Sequence, residues 1–303
     1  MRAPKNIGIS VRDQLTRQAR ERRENAQLLM TRYAMERVLY RLSISPHRER
    51  FVLKGAMLFS LWALAPYRAT GDLDLLGFGE NAPEALVATF ADILAQPVED
   101  DGVVFRPETL RAAATRAEDE HAGVRLDFVA ELAGARLPMH VDVGYGDIVT
   151  PEPVEVEYPS LLDQPAPRLR VYPPETVVAE KFQAMVALGE LNSRMKDFFD
   201  LWAIAGAFAF NGTVLAQAIL KTFERRETPV PGKIPPALTG PFAQAKQGQW
   251  AAFLRRTEIA LAPEPLPEVQ SRIADLVMPP AAAVAQGEPF EARWSPGGPW
   301  IEG

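Results

Sequence analysis

The chain has 303 residues, of which 47% are apolar and 24% are charged, and this balance excludes a disordered or fibrous protein. It contains no cysteine, which excludes a disulfide framework, a thiolate metal site and a cysteine nucleophile. The net charge is −6, yet residues 1–54 hold 13 of the 33 lysine and arginine residues and 5 of the 39 acidic ones. This segment therefore carries +8 and the remainder −14, which favours either contact with a phosphate-bearing partner or a solvated helix face.

No apolar run approaches the ~20 residues that a helix needs to cross a bilayer, and the first residues are polar. We therefore expect a cytoplasmic protein without a membrane partner. In chain order, the patterns predict one or two helices over 10–43, a short apolar segment over 51–54, a helix from Gly55, a turn over 66–68, a half-buried strand over 72–78, a helix over 82–95, and strands over 103–116, 124–132 and 135–145.

The second half of the chain is predominantly helical. A proline-rich connection over 151–174 is followed by predicted helices near 174–188, 194–206, 212–226 and 240–262, and then by an irregular extension that Trp294 and Trp300 could anchor. These elements predict an α+β fold with a mixed-sheet core, flanking helices and a C-terminal helical lobe. The expected parts are a basic helical segment over 1–50, the core over 51–158, the helical lobe over 159–262 and a proline-rich extension over 263–303.

Asp72 and Asp74 are the first candidates for chemistry. Residues two apart in a strand project from the same face about 6.6–7 Å apart, so the two carboxylates lie side by side. A pair of this kind is costly unless a cation or a proton compensates it, and Mg²⁺ accepts one or two carboxylates while keeping places for substrate phosphates. The alternative is a strand at the rim of the sheet with both acids in water.

Two neighbouring segments add to this candidate site. Lys54 and Gly55 precede a predicted helix whose free N–H groups could hold a phosphate. Asp142 lies on a predicted strand that could neighbour the first pair and supply the third acid of a two-metal centre. A strand-end acid in a turn is the alternative for Asp142.

Charged residues also recur within the predicted helices. Lys181 could stabilise phosphate charge, and Asp197 could accept a proton or orient Lys181. Arg194, Asp197 and Asp200 share a helix face, and a structural ion-pair network is the alternative interpretation. The three histidines, His47, His121 and His140, are interpreted as ordinary surface or core residues, which argues against a metal-dependent hydrolase.

Five sequence blocks in this order resemble the AbiEii/AbiGii-type toxin nucleotidyltransferases. These toxins belong to the DNA-polymerase-β-like superfamily and include the MenT toxins. The blocks are Leu53-Lys54-Gly55, Arg68-Ala69-Thr70-Gly71-Asp72-Leu73-Asp74, Val141-Asp142-Val143-Gly144-Tyr145-Gly146-Asp147, Glu175 to Lys181, and Arg194-Met195-Lys196-Asp197-Phe198-Phe199-Asp200-Leu201. The resemblance covers about residues 30–260.

The resemblance implies a bilobal nucleotidyltransferase that uses Mg²⁺ or Mn²⁺ and a nucleoside triphosphate. It implies metal binding by Asp72 and Asp74, with Asp142 as a further ligand, and a catalytic centre that Lys181 and Asp197 complete. Nucleotide-binding roles fall on the residues Lys54, Gly55, Thr70 and Lys181.

The resemblance also implies that a nucleoside monophosphate is moved to the 3′ end of a tRNA, which would make the chain the toxin of a type IV toxin–antitoxin system with a cognate antitoxin. Two alternatives stay open at this point. One is nucleotidylation of a protein or small molecule by the same site, and the other is a non-catalytic nucleotide- or partner-binding module. Retention of Asp72, Asp74, Lys181 and Asp197 argues against the second.

Overall fold

The computed structural model describes residues 6–62, 70–115, 123–257, 262–263 and 265–302. The chain forms two compact units. Unit 1 contains the described parts of 1–62, 69–146 and 154–171, and unit 2 contains those of 147–153 and 172–303. The division into four parts made from the sequence stays a prediction, and the predicted turn over 66–68 lies outside the described residues.

Unit 1 combines helices with a mixed sheet. Its helices are α1 (Ile7–Arg22), α2 (Ala26–Ile44), α3 (Met57–Leu61) and α4 (Pro83–Leu94). Its strands are β1 (Phe51–Lys54), β2 (Asp72–Gly77), β3 (Val103–Ala114), β4 (Gly123–Leu132), β5 (Ala135–Tyr145), β6 (Val154–Glu157) and β7 (Arg168–Val171). The α+β class predicted from the sequence is confirmed, and β6 and β7 are two short strands within the predicted connection.

The seven strands lie in the order β3-β4-β5-β2-β1-β7-β6. The pairs β2–β5 and β1–β7 are parallel and the other neighbours are antiparallel, so the sheet is mixed. Gly134, at φ +82°, makes the predicted turn between β4 and β5. Along both strands, buried residues such as Leu126 and Val141 alternate with partly exposed polar ones. The side that carries these polar residues is termed the open face below.

The basic N-terminal segment is partly interior. The predicted helical region over 10–43 is two helices, because Arg23 adopts a left-handed conformation and the Asn25 side chain caps α2. Within α2, Arg41 lies 2.6 Å from Asp101, and Arg37 pairs with Glu36. These buried cations are compensated inside unit 1 and are therefore unavailable to a phosphate-bearing partner. The exposed basic residues of this segment include those on α1.

Unit 2 is mainly helical. Its helices are α5 (Pro174–Leu188), α6 (Met195–Ala207), α7 (Gly212–Arg225), α8 (Gly240–Thr257) and α9 (Leu266–Gln286). A small antiparallel sheet has the order β10-β9-β8, with β8 (Phe210–Asn211), β9 (Ala292–Trp294) and β10 (Trp300–Glu302). The four predicted helices of this half are confirmed, and the predicted end of the fourth, beyond residue 257, reaches into residues outside those described. None of the described helices is long and apolar enough to cross a bilayer.

The prediction of an irregular extension over 263–303 is wrong over most of its length, because α9 occupies residues 266–286. Pro279 and Pro280 lie inside this helix, although a proline in a helix interior costs about 3 kcal/mol. An apolar stripe at helical spacing, which includes Ile273 and Val277, is fully buried where α9 contacts α6 and α7. This burial offsets the cost. The two tryptophans anchor the final segment as predicted, since Trp294 and Trp300 donate to the carbonyls of Ala205 and Leu276.

Candidate functional site

Two rows of polar side chains cross the open face of the sheet in unit 1. The first row follows the register of four adjacent strands and consists of Lys54, Asp74, Asp142 and Arg125. The second row is offset from the first by two residues on β2, β5 and β4, continues onto β3, and consists of Asp72, His140, Asp127 and Arg111. Five site residues predicted from the sequence therefore lie in these rows or next to them: Lys54, Gly55, Asp72, Asp74 and Asp142.

Gly55 is required by the position of the Asp74 side chain. Its φ is +74°, a backbone conformation that L-residues with a side chain rarely adopt. A Cβ placed on Gly55 would overlap the Asp74 carboxylate and would lie 2.6 Å from the Asp74 Cβ. The glycine therefore creates the space that the carboxylate fills. The following helix, α3, spans only five residues, so its dipole contributes little to the predicted phosphate cradle.

Lys54 reaches over the open face of the sheet. It is the antiparallel partner of Asp74, and its Nζ lies 3.7 Å from the position that a Cβ on Gly144 of β5 would take. The ammonium group therefore extends from β1 across β2 towards β5. This places a positive charge beside the two central carboxylates of the first row.

Arg125 holds the third predicted carboxylate. Its Nε and Nη2 donate to the two oxygens of Asp142 at 2.7 and 2.6 Å, which is a bidentate ion pair. These hydrogen bonds and the charge of Asp142 raise the pKa of Arg125, with smaller contributions from Asp72 and Asp127. Asp142 is thus compensated by an arginine that the sequence analysis did not single out.

Asp72 is the first residue of β2 and is more exposed than Asp74. Its backbone N–H donates to the Thr70 hydroxyl at 3.2 Å, so Thr70 shapes the entry to the strand. Its neighbour in the parallel register, His140, lies 2.5 Å through Nδ1 from the Asp127 carboxylate. His140 is therefore part of the polar open face.

The oxygen ligands of this face suit a hard divalent cation. Asp72 is exposed and Asp74 is partly exposed, so carboxylate oxygens are available on two positions of one strand face. Among the described residues, no group of three or more histidine and acidic side chains has the arrangement of a metal centre. Asp72 and Asp74 alone fit a cation, because their carboxylates are accessible. Asp142 could become a further ligand only if Arg125 released it.

In unit 2, Lys181 and Asp197 lie together as the sequence predicted. Lys181 Nζ lies 2.5 Å from Asp197 Oδ1 and 2.9 Å from Asp200 Oδ2, and both carboxylates are almost completely buried. Arg194 Nε lies 2.6 Å from Asp197 Oδ2, an ion pair whose angle falls outside hydrogen-bond geometry. Burial acts to raise the pKa of Asp197, but the charges of Lys181 and Arg194 outweigh it and lower that pKa. Asp197 is thus an ionised partner that fixes Lys181.

A second ion-pair network of unit 2 includes Glu180, the residue that precedes Lys181. Arg226 Nη2 lies 3.1 Å from Asp147 and 3.4 Å from Glu180, and its Nη1 donates to Gln183 at 2.8 Å. Glu180 and Lys181 are adjacent on α5 and each is held by a separate network. The sequence analysis singled out Lys181 and not Arg226, because Arg226 follows α7 in a run of ordinary charged residues.

Residues 37–275 match the model of a family described as nucleotidyl transferase AbiEii toxin, type IV toxin–antitoxin system. Two solved structures from Helicobacter pylori are similar to the chain. One, provisionally described as a nucleotidyltransferase, is 15% identical with a TM-score of 0.47 and covers 87% of this chain and 96% of its own. The other, JHP933, is 14% identical with a TM-score of 0.47 and covers 87% and 94%. Similarity at this level carries no functional argument, and no curated protein matches the chain.

Gly55→Ala tests the close approach of Gly55 to Asp74. We expect the new Cβ to displace the carboxylate and to weaken Mn²⁺ binding about tenfold or more, the effect typical of disturbing a metal ligand's support. Mn²⁺ titration followed by electron paramagnetic resonance measures this. Gly79→Ala is the matched control, because Gly79 has φ +88° but nothing within 4 Å of its Cβ position. Equal Mn²⁺ affinity of the two variants would contradict the assignment.

Asp197→Asn tests the buried network of unit 2. The variant leaves Lys181 and Arg194 undercompensated, so we expect a loss of about 3–5 kcal/mol in the free energy of unfolding at neutral pH. Because the folded-state pKa of Asp197 is lowered, its stabilisation is present above 3.8, its ordinary value, and is lost as the pH falls through the folded-state pKa. The difference in unfolding free energy between wild type and variant should therefore shrink as the pH falls below 3.8.

Urea unfolding at a series of pH values measures this difference. Asp275→Asn is the control, because Asp275 is an exposed acid on α9 of the same unit. A difference for Asp197→Asn that stays constant from neutral pH to below 3.8 would show that the charge of Asp197 does not stabilise the fold.

Proposed function

Because the chain belongs to the AbiEii nucleotidyl transferase toxin family of type IV toxin–antitoxin systems, we propose that it transfers a nucleoside monophosphate from a nucleoside triphosphate to the 3′ end of a tRNA. The chain is a nucleotidyltransferase, as the match over residues 37–275 shows. The proposal adds the acceptor, the divalent cation and the residues that carry the reaction.

The observation that carries the proposal is the placement of Asp72 and Asp74. Both side chains project from the open face of β2, with Gly55 leaving room for the Asp74 carboxylate and Lys54 extending over the same face. Two carboxylates about 7 Å apart, the spacing of alternate residues in a strand, repel each other by about 0.6 kcal/mol in water and about 2.4 kcal/mol near a protein surface. A pair kept at this cost on an accessible face is well suited to binding a cation.

The proposed reaction is a single displacement at the α-phosphorus. The 3′-hydroxyl oxygen of the acceptor forms the new P–O bond, the bond to the bridging oxygen of the β-phosphate breaks, and pyrophosphate leaves with that oxygen. The hydroxyl proton passes to solvent water, and in-line attack inverts the phosphorus centre. Mg²⁺ or Mn²⁺ bound by Asp72 and Asp74 would neutralise negative charge on the phosphates.

Charged and polar groups of the chain have roles in binding the nucleotide. Lys54 is proposed to attract the phosphates electrostatically, and Thr70 to fix the backbone that leads into Asp72. Lys181 is proposed to contact phosphate, as its motif implies. Its two short ion pairs support a role for Asp197 in orienting Lys181, since the lowered pKa of Asp197 disfavours it as a proton acceptor.

The proposed partners follow from the family and from the motif resemblance. A tRNA 3′ end is the acceptor that the resemblance to the MenT toxins implies, and a cognate antitoxin protein is the partner that membership of a type IV system implies. Phosphate-bearing substrates require compensating positive charge, and Lys54 supplies it on the open face.

The transfer is tested by incubating the purified chain with Mg²⁺, one α-labelled nucleoside triphosphate at a time, and total tRNA. We expect label on the RNA with at least one nucleotide and a loss of about a hundredfold or more for Asp72→Asn, because transition-state charge is no longer balanced. Glu131→Gln is the control, because Glu131 is a carboxylate of β4 on the same sheet face that pairs with Arg106.

Label on protein instead of RNA would replace the tRNA acceptor by a protein acceptor. Label on neither, with Asp72→Asn and wild type alike, would contradict nucleotidyl transfer to RNA and to protein. Equal activity of Asp72→Asn and wild type on RNA would contradict the assignment of the carboxylate pair.

A further inference from the structure

Unit 2 contains a cavity of about 560 Å³ between the beginning of α6 and one face of α8. Three cationic side chains line it, namely Arg194, Lys196 and Arg256. Among the described residues that line the cavity, none is acidic. Arg194 pairs with the buried Asp197, and the side chains of Lys196 and Arg256 are both exposed. The cavity therefore presents positive charge to a ligand from two separate helices.

The sequence of α8 explains why a cavity forms here. Gln249, Ala252, Phe253 and Arg256 follow helical spacing and so share one helix face. The alanine in the middle of this face leaves space that a longer side chain would fill. Gln249 and Arg256, the polar residues at its two ends, also line the opening and can donate hydrogen bonds.

The floor of the cavity is apolar and firmly held. Phe253 is 5% exposed, and its ring stacks on Trp250 with the ring centres 5.5 Å apart. The ring centre of Phe253 also lies 6.1 Å from that of Phe199 on α6. An apolar floor below a cationic rim suits a nucleotide unit, because the sugar and base are less polar than the phosphate.

We propose that this cavity binds the phosphodiester backbone of the RNA acceptor. The inference rests on the proposed function for the choice of RNA. A metal–triphosphate is a poorer fit, since Mg²⁺ bound to phosphates is usually also held by carboxylates and none lines the described part of the cavity. A phosphodiester requires only lysine, arginine and amide donors, which the rim supplies.

The test measures binding of a short fluorescent single-stranded RNA to the full chain by anisotropy, without nucleoside triphosphate. The cavity variant is Lys196→Gln with Arg256→Gln. The charge-matched control is Arg225→Gln with Lys233→Gln, since both residues are exposed in unit 2 outside the cavity. We expect the cavity variant to bind about tenfold or more weakly and to have a flatter salt dependence by about 0.7 per lost phosphate contact, and the control to bind like wild type.

A second variant, Ala252→Trp, fills the cavity without changing the charge and at an exposed position. We expect it to weaken RNA binding as well, while circular dichroism and the unfolding midpoint stay close to wild type. This variant separates a loss of space from a loss of charge, so that a general electrostatic effect cannot produce the expected result.

The proposal would be overturned if wild type did not bind RNA, or if the cavity variant and the control were weakened equally. It would also be overturned if the cavity variant lost binding of labelled ATP while it kept RNA binding, or if polyglutamate displaced the fluorescent RNA from wild type as well as unlabelled RNA does. RNA binding through the cavity without label transfer would instead contradict the proposed function and leave the cavity assignment standing. Label transfer to RNA that the cavity variants do not reduce, with unchanged RNA binding, would overturn the cavity assignment alone.

Discussion

An alternation of charge across four neighbouring strands is the constraint on which the open face of unit 1 depends. Asp74 and Asp142 are adjacent in parallel strands, and carboxylates at this spacing repel each other. Lys54 and Arg125 flank them in the same row, so the sheet can keep two acids side by side on a partly exposed face. The arrangement is balanced without a cation, and a divalent cation would have to compete with Arg125 for Asp142.

Opposite charges also compensate one another in unit 2, but there they form a buried network. Lys181 is held by two carboxylates that have almost no exposed surface, and Arg194 reaches one of them from the start of α6. Breaking a buried pair is expensive because the remaining charge stays desolvated. The position of the Lys181 ammonium is therefore fixed before any ligand binds, which suits the proposed contact of Lys181 with phosphate. The open face of unit 1, in contrast, can exchange one partner for another.

Local sequence patterns were sufficient to predict much of the fold and part of the candidate site. Contacts between residues that are distant in the sequence could not be predicted from them. The alternation of β4 and β5 and the turn at Gly134 could be predicted because they depend on neighbouring residues, and so could the side-by-side placement of Asp72 and Asp74. The bidentate contact of Arg125 could not, because Arg125 occupies an ordinary polar position of a strand and acquires its partner only through β4–β5 pairing. The α9 helix was missed because burial of its apolar stripe outweighs two internal prolines.

Mn²⁺ affinity of Arg125→Gln is the measurement that tests this account most directly. Glutamine removes the positive charge and frees Asp142, so that three carboxylates, those of the first row and Asp72 beside it, would face the cation and Lys54 would oppose it within that row. We predict tighter Mn²⁺ binding than in wild type by about tenfold, equivalent to about 1.4 kcal/mol, and loss of that gain when Asp142→Asn is added. Unchanged or weaker binding in Arg125→Gln, with the fold intact by circular dichroism, would contradict the claim that Arg125 and a cation compete on this face.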